Sequence, residues 1–212
     1  MLAHHPGMTL WEAPMVGRPG FEMRRMEALS NTIFGVAMTL LAYQVPKEKF
    51  ATSDPTWGDI WHSYGSHLSA LLLSFIVAGM FWYSHQRRLT YAPEGNRLEA
   101  LLNLLFLLSI IVLPVTTGLL GSYIASADVT SLYGFNLTLI SVLNTILWVM
   151  AAAPRRDWAA TVAPAFPTVV FVVASILGLF EPHLTRYVWP LAFLAPILAA
   201  YVERWEKRHM KG

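Results

Sequence analysis

Cysteine is absent from this 212-residue chain, and charged side chains are scarce. The lack of thiols excludes disulfide bonds, thiolate nucleophiles and cysteine-ligated metal sites. Charged residues make up 13% of the sequence, against a usual share of about 25%. Hydrophobic residues make up 55% and the mean hydropathy is +0.47, so the chain encodes more apolar surface than a small soluble domain can cover. These proportions predict a membrane protein.

Signatures of catalysis and of nucleic-acid binding are also missing. The sequence contains no H-E-x-x-H, no G-x-S-x-G and no phosphate-binding glycine loop. His62, His67 and His183 form no i, i+4 metal pair, and a net charge of +2 with scattered basic residues does not favour nucleic acid as a partner. We therefore predict no enzymatic activity, no cofactor, no metal site and no nucleic-acid partner.

Six long stretches contain no Asp, Glu, Lys or Arg, and each is long enough, or nearly so, to cross a hydrocarbon core of about 30 Å. They are residues 28–45, 67–83, 101–123, 133–153, 159–180 and 187–202. The connections between them are short. The sequence thus predicts an all-α, polytopic membrane protein with six transmembrane helices in a single domain over residues 1–212, with an N-terminal segment at 1–24 and a tail at 203–212.

Basic residues are distributed unevenly between the two sides that these spans define. Twelve of them fall on the side of both termini and only three, Lys47, Lys49 and Arg186, on the other side. Because cytoplasmic connections carry the excess of Lys and Arg, both termini, with the segments 1–24 and 203–212, are predicted to be cytoplasmic and the protein to be a multi-pass protein of the plasma (inner) membrane. The outer connection at 46–66 is the longest, and its Thr52-Ser53-Asp54-Pro55-Thr56 stretch predicts the cap of a short helix starting near Trp57.

The first predicted span is the most polar of the six. On a helix, Arg25, Thr32, Val36, Thr39 and Tyr43 fall on one narrow stripe with Leu40 on its flank, whereas Ser30, Asn31 and Gly35 lie on other faces. Hydroxyl groups are of no use to a surface that faces lipid. The stripe is therefore predicted to face either another helix, where small residues permit close packing, or the water of a pore. A single helix cannot enclose a pore, but symmetric copies can.

Three segments resemble the transmembrane protein 175 family of potassium channels. The first is R-M-E-A-L-S-N followed by T-I-F-G-V-A-M-T-L-L at 25–41, which is similar to the family's R-x-x-x-F-S-D and A-I-A-I-T-L-L-like run. The second is Trp82 and His85 with Arg87 and Arg88 near the end of the second span. The third is 103–121, which is similar to the family's N-L-L-x-L-L…L-P-x-x-T-x-L-L-G third span.

The resemblance implies a prokaryotic, single-repeat channel in which four chains surround a pore lined by the first helix. By position in the motif, Val36 corresponds to the family's constriction and Thr39 to a threonine implicated in selectivity. Leu40 and Tyr43 follow toward the outer mouth and are expected to form the hydrophobic constriction together with Val36. Thr32 is expected to line the pore one turn before Val36. A T-V-G-Y-G segment is absent, so any selection must come from side chains.

The structural roles that the resemblance implies fall on the cytoplasmic half of the first two helices. We expect a supporting network that consists of Arg25, Ser30, Asn31, Trp82 and His85. The chain has Leu29 and Asn31 where the family has Phe and Asp, so any link from Asn31 to Trp82 or His85 is expected to be uncharged. Arg25 and His85 also fit simpler roles, as a side chain that reaches the headgroups and as an interfacial residue.

Together these features predict a potassium-permeable cation channel with passive conduction through a homotetrameric pore, with membrane lipids and potassium ions as its partners. A secondary transporter and a non-conducting membrane scaffold are the alternatives. The transporter is less favoured because the predicted spans contain no carboxylate for a proton relay.

Overall fold

The computed structural model describes residues 19–157 and 159–201, apart from 48–49, 51–52, 93–96, 196 and 198–199. In this part of the chain the regular structure is entirely helical. The elements are α1 (Pro19–Tyr43), α2 (Trp57–Tyr91), α3 (Arg97–Ser122), α4 (Ala127–Ala152), a 3-10 turn (Ala153–Arg155), α5 (Ala159–Phe180), α6 (Pro182–Val188) and a second 3-10 helix (Trp189–Leu194).

Four helices among the described residues are long and apolar enough to cross a membrane, and they correspond to the second to fifth predicted spans. The chain is therefore a multi-pass membrane protein. The count of six is not confirmed. The helix α1 has 25 residues, which is sufficient length, but it carries polar residues and is not one of the four. The segments predicted to precede and follow the spans lie mostly outside the described residues, although α1 already begins at Pro19.

The helix α2 is longer than its predicted span and includes the helix expected near Trp57. Its first turn has a capping box, in which the Thr56 hydroxyl accepts from the Asp59 backbone N–H and the Asp59 carboxylate accepts from the Thr56 backbone N–H. The predicted cap was therefore correct, but the short separate helix was not, because the chain continues as one helix from this cap. Its 35 residues extend for about 52 Å, well beyond a hydrocarbon core of about 30 Å.

The sixth predicted span is interrupted where Pro190 enters. The described residues form α6, which ends at Val188, and a 3-10 helix that has Pro190 near its first position. Proline has no backbone N–H, so it cannot continue the α-helical hydrogen-bond ladder. Trp189 is nevertheless buried against Tyr133 of α4, with ring centroids 4.9 Å apart. This segment is thus packed onto the bundle as a broken helix.

The helices pack around a shared core. α4 contacts α3 and α5 most extensively, and α1 contacts α2 and α3. The core contains Phe81, Phe106, Tyr133 and Phe171, all of which are buried. Several polar side chains between helices are hydrogen-bonded inside this core, as in the pair formed by Ser74 and Tyr133 at 2.8 Å. Such bonds are expected where lipid offers no alternative partner.

Candidate functional site

The two sides of α1 differ sharply in burial. Ser30, Phe34, Ala37 and Leu41 are at most 3% exposed and face α2 and α3. These four positions recur with a spacing of three or four residues, so they form one face of the helix. This face attaches α1 to its own protomer.

The predicted stripe lies on the opposite side of α1. Val36 is 52% exposed and Tyr43 is 83% exposed, while Leu40, Thr32 and Thr39 are also exposed. Arg25 is exposed as well, and it belongs to the same side by helical angle. The stripe is therefore available to water, lipid or another chain, and it is not sealed inside the protomer.

Both threonines on the stripe use their hydroxyl hydrogen within α1. The Thr32 hydroxyl donates to the Ala28 carbonyl at 2.9 Å, and the Thr39 hydroxyl lies 2.8 Å from the Val36 carbonyl and 3.1 Å from that of Gly35. A hydroxyl has one donor and two acceptor lone pairs. Because the hydrogen points back to the helix, the oxygen of each threonine is left to accept a hydrogen bond or to contact a cation.

Ser30 begins a buried polar chain between α1, α3 and α2. Its hydroxyl donates to the Met26 carbonyl at 2.8 Å and accepts a hydrogen bond from the Asn103 amide nitrogen at 3.4 Å. The Asn103 carbonyl accepts from the Arg88 guanidinium at 3.2 Å. Ser30, Asn103 and Arg88 are all at most 2% exposed. This chain of contacts fixes the position of α1 relative to two neighbouring helices.

His85 extends the same chain. An Arg88 amino group lies 3.3 Å from His85 Nδ1, and since arginine only donates, His85 Nδ1 accepts and the ring proton is on Nε2. The imidazole stacks on Phe106, with ring centroids 5.5 Å apart and planes at 25°. The Phe34 ring centroid lies 6.2 Å from that of the imidazole, with the two planes tilted by 37°. The structure thus places His85 in an aromatic and polar core and not at an open interface.

Asn31 lies apart from this buried chain, on the exposed edge between α1 and α2. Its side-chain oxygen accepts from the Trp82 indole N–H at 3.0 Å and from the Gln86 amide. The contacts are uncharged because the carboxamide carries no charge. Asn31 and Trp82 are therefore in contact with each other, and Ser30 and His85 belong to one buried chain with Arg88 and Asn103 between them.

Sequence reasoning missed Arg88, Asn103 and Gln86. Arg88 was counted with the cytoplasmic basic residues, whereas the structure places it 2% exposed inside the bundle. One signal was present: Asn103 is a strongly polar residue within an apolar span, and His85 and Arg88 are spaced to share a helix face. In the part of the chain that the structure describes, no group of three His, Asp or Glu side chains is placed to hold a metal ion.

Comparisons with known proteins agree with these features. The family described as "Endosomal/lysosomal potassium channel TMEM175" matches residues 25–114, the segment that contains most of α1, all of α2 and most of α3. A potassium channel of Streptomyces collinus is 29% identical over 134 residues, which are 60% of this chain and 63% of that protein. A potassium channel of Chamaesiphon minutus is 27% identical over 150 residues, 68% of this chain and 71% of that protein.

A solved structure extends the likeness to most of the fold. The crystal structure of a lysosomal potassium-selective channel TMEM175 homolog from Chamaesiphon minutus superposes with a TM-score of 0.73 at 24% identity. It covers 86% of this chain and 98% of that chain. The alignment with the Streptomyces protein, in contrast, spans just under two thirds of that protein's length. The similarity to the transmembrane protein 175 family that the motifs of α1 to α3 predict is thus confirmed.

Proposed function

We propose that this protein is a potassium-permeable cation channel in which four copies surround a pore lined by α1. One observation carries the proposal: the face of α1 that bears Thr32, Val36 and Thr39 is exposed, although the opposite face is buried in the protomer. Exposed hydroxyls in hydrocarbon are unfavourable, so a water-filled axis between copies is the environment that suits this face. The family's description as a potassium channel supports potassium as the permeant ion.

In this proposal the stripe supplies both a barrier and a coordinating ring. Val36, Leu40 and Tyr43 narrow the path with apolar or aromatic groups, and such a constriction gates by expelling water. Thr39 presents oxygen lone pairs, because its hydrogen is engaged by α1, and four such oxygens can replace part of a cation's hydration shell. The path needs no cofactor and no proton relay, which is consistent with passive conduction and not with an enzyme or a coupled transporter.

The proposed orientation places both termini in the cytoplasm and the channel in the plasma membrane. Buried Arg88 does not alter this assignment, since Arg87, Arg155 and Arg156 still lie at the same end of the bundle and are exposed. Cytoplasmic connections carry such an excess of basic residues. The supporting network on this side is Ser30 with Asn103, Arg88 and His85, and separately Asn31 with Trp82. Arg25 lies at the cytoplasmic entry of the stripe.

Potassium flux from liposomes that contain the purified protein tests the proposal. Val36→Ala removes two methyl groups per chain from the constriction and is expected to raise the flux, whereas Val36→Trp should block it. Val169→Ala is the matched control, because Val169 is 61% exposed on α5, away from α1. An equal effect of the two alanine variants would contradict a constriction at Val36. Flux that saturates and requires a counter-ion would indicate a transporter, and no flux would indicate a scaffold.

The size of the Val36 side chain also leads to a prediction of how strongly the channel prefers potassium over sodium. The side chain is one methylene smaller than the isoleucine of the family pattern, so the gate should be slightly wider and the preference for potassium over sodium weaker. Reversal potentials in planar bilayers with opposed potassium and sodium measure this preference. Val36→Ile is expected to raise the preference, and an unchanged reversal potential in that variant would refute the size argument.

A further inference from the structure

The last three turns of α2 contact different neighbours on three faces. At about 100° per residue, Trp82 and Gln86 point to α1, where both donate to Asn31. Arg88 and His85 point to α3, where Arg88 donates to Asn103 and His85 stacks on Phe106. The third face carries Ser84 and Tyr91 and meets α4 and the turn before α5. This third face takes no part in the contacts that α1, the proposed pore helix, makes with α2 and α3.

The contacts of Tyr91 form a compact cluster, which we define as Tyr91, Trp148, Arg155 and Asp157. The Tyr91 hydroxyl donates to Asp157 Oδ2 at 2.8 Å, and its ring lies 5.6 Å from the Trp148 ring. The Arg155 guanidinium carbon lies 4.8 Å from the Tyr91 ring centroid, within the range of a cation–π contact. One tyrosine therefore contacts the turn by a charge-assisted hydrogen bond and a cation–π contact, and contacts α4 by an aromatic contact.

The turn itself is fixed by the same carboxylate. Asp157 Oδ1 accepts from the Ala160 backbone N–H at 3.2 Å, so it caps the start of α5, where a negative charge is favourable. Trp148 also donates to Ser84 at 3.0 Å, and Ser84 donates to Asn144 at 3.3 Å. The end of α2 is consequently joined to α4 at Ser84 and to the turn between α4 and α5 at Tyr91.

We propose that Tyr91 is a positioning residue for the pore, which acts through α2 on α1. The Tyr91 cluster holds the third face of α2, and the rotation of this segment determines where Trp82 and Gln86 meet Asn31. Asn31 lies five residues before Val36 on the same helix, so a shift of α2 moves the constriction. Loosening the cluster loosens the proposed constriction at Val36 and raises the open probability. The inference rests on the proposed channel function.

Tyr91→Phe is the cleanest perturbation because it removes the bond to Asp157 and keeps both ring contacts. In single-channel recordings of the full chain in planar bilayers, we expect about a fivefold higher open probability, which corresponds to roughly 1 kcal/mol, at an unchanged unitary conductance. Tyr83→Phe controls for the loss of a hydroxyl, since Tyr83 is 56% exposed on the same helix. Thr168→Val controls for stability, since it removes a 2.8 Å bond to Thr145 between α4 and α5 without touching α2.

A readout that does not require conduction uses the cysteine-free background. The Thr32→Cys variant should react faster with a water-soluble thiol reagent when Tyr91→Phe is added, and not when Thr168→Val is added. An unchanged or lowered open probability together with an unchanged reaction rate would overturn the proposal, as would an equal response to Thr168→Val. Absence of current in the wild type would instead refute the channel function, and the reaction rate would still test the link from Tyr91 to α1.

Discussion

Two glycines one turn apart near the end of α3 provide a test of how tightly the outer ends of α1 and α2 pack against α3. A Cβ at Gly121 would lie 2.5 Å from His67 Nδ1 and 3.1 Å from His67 Cα of α2. A Cβ at Gly118 would lie 2.5 Å from Gln44 Oε1 and 3.2 Å from the Cβ and Cδ atoms of that side chain, just after α1. The obstacle at Gly121 therefore includes backbone, whereas the nearest obstacle at Gly118 is the flexible end of a side chain and the Gln44 Cβ at 3.2 Å needs only a small shift.

This difference predicts unequal costs for the same substitution. Overpacking that moves a backbone costs about 1–3 kcal/mol, and replacing glycine in a helix returns up to about 1 kcal/mol. We expect Gly121→Ala to destabilise the protein by about 1–2 kcal/mol, which lowers the melting temperature by about 2–8 °C in a chain of this size. Gly118→Ala is expected to change it by less than about 2 °C, because the Gln44 side chain can rotate away.

Thermal unfolding in detergent, followed by circular dichroism, measures both variants under the same conditions. Since the two glycines are in one helix and separated by one turn, the difference between the melting temperatures of the two variants cancels most of the effect of helix propensity. Equal melting temperatures would refute the reasoning, because they would show that α2 is free to move away from α3 at His67. A greater loss for Gly118→Ala would indicate that Gln44 is the more constrained contact.

Three further substitutions test other contacts of the bundle. Asn103→Leu removes the carboxamide between Ser30 and buried Arg88 and should cost about 1–3 kcal/mol, so an unchanged melting temperature would contradict its place in the chain of contacts. Tyr133→Phe removes a buried 2.8 Å bond and should cost about 1 kcal/mol in the same assay. A Cβ at Gly35 would meet nothing within 4 Å inside the protomer, yet Gly35 borders the exposed stripe. Gly35→Ala is therefore expected to lower the fraction of the proposed tetramer in native mass spectrometry, and an undiminished fraction would place Gly35 away from any interface between copies.

The membrane helices were predictable where lipid exposure dictates composition. The predicted span 159–180 coincides with α5 (Ala159–Phe180), and the predicted spans 101–123 and 133–153 lie close to α3 and α4. A stretch without charges marks the part of a helix in hydrocarbon, however, and not the ends that project from it. The helix α2 therefore begins at Trp57 and ends at Tyr91, beyond the predicted 67–83, because capping and packing determine its ends.

The buried polar chain was less predictable because it depends on contacts between helices. Arg88 follows Arg87 in the sequence, yet Arg87 is exposed and Arg88 is 2% exposed. Composition cannot separate two adjacent arginines. Their difference arises from helical rotation, which turns Arg88 to Asn103 and His85 and Arg87 toward the surface. A buried guanidinium persists only when such partners satisfy it, and Asn103 comes from a different helix, α3.

The polar residues of α1 account both for the stripe that the sequence predicted and for the weak membrane signal of this helix. Ser30, Asn31, Thr32 and Thr39 lower the hydropathy of α1, which is why it is not one of the four helices that composition identifies as membrane-spanning. The same residues are satisfied by protein on one side, through Asn103 and Trp82, and carry exposed hydroxyls on the other. A helix with protein behind it and water in front of it needs little apolar surface. In the proposed pore α1 would have little contact with lipid, and this placement would also account for its weak membrane signal.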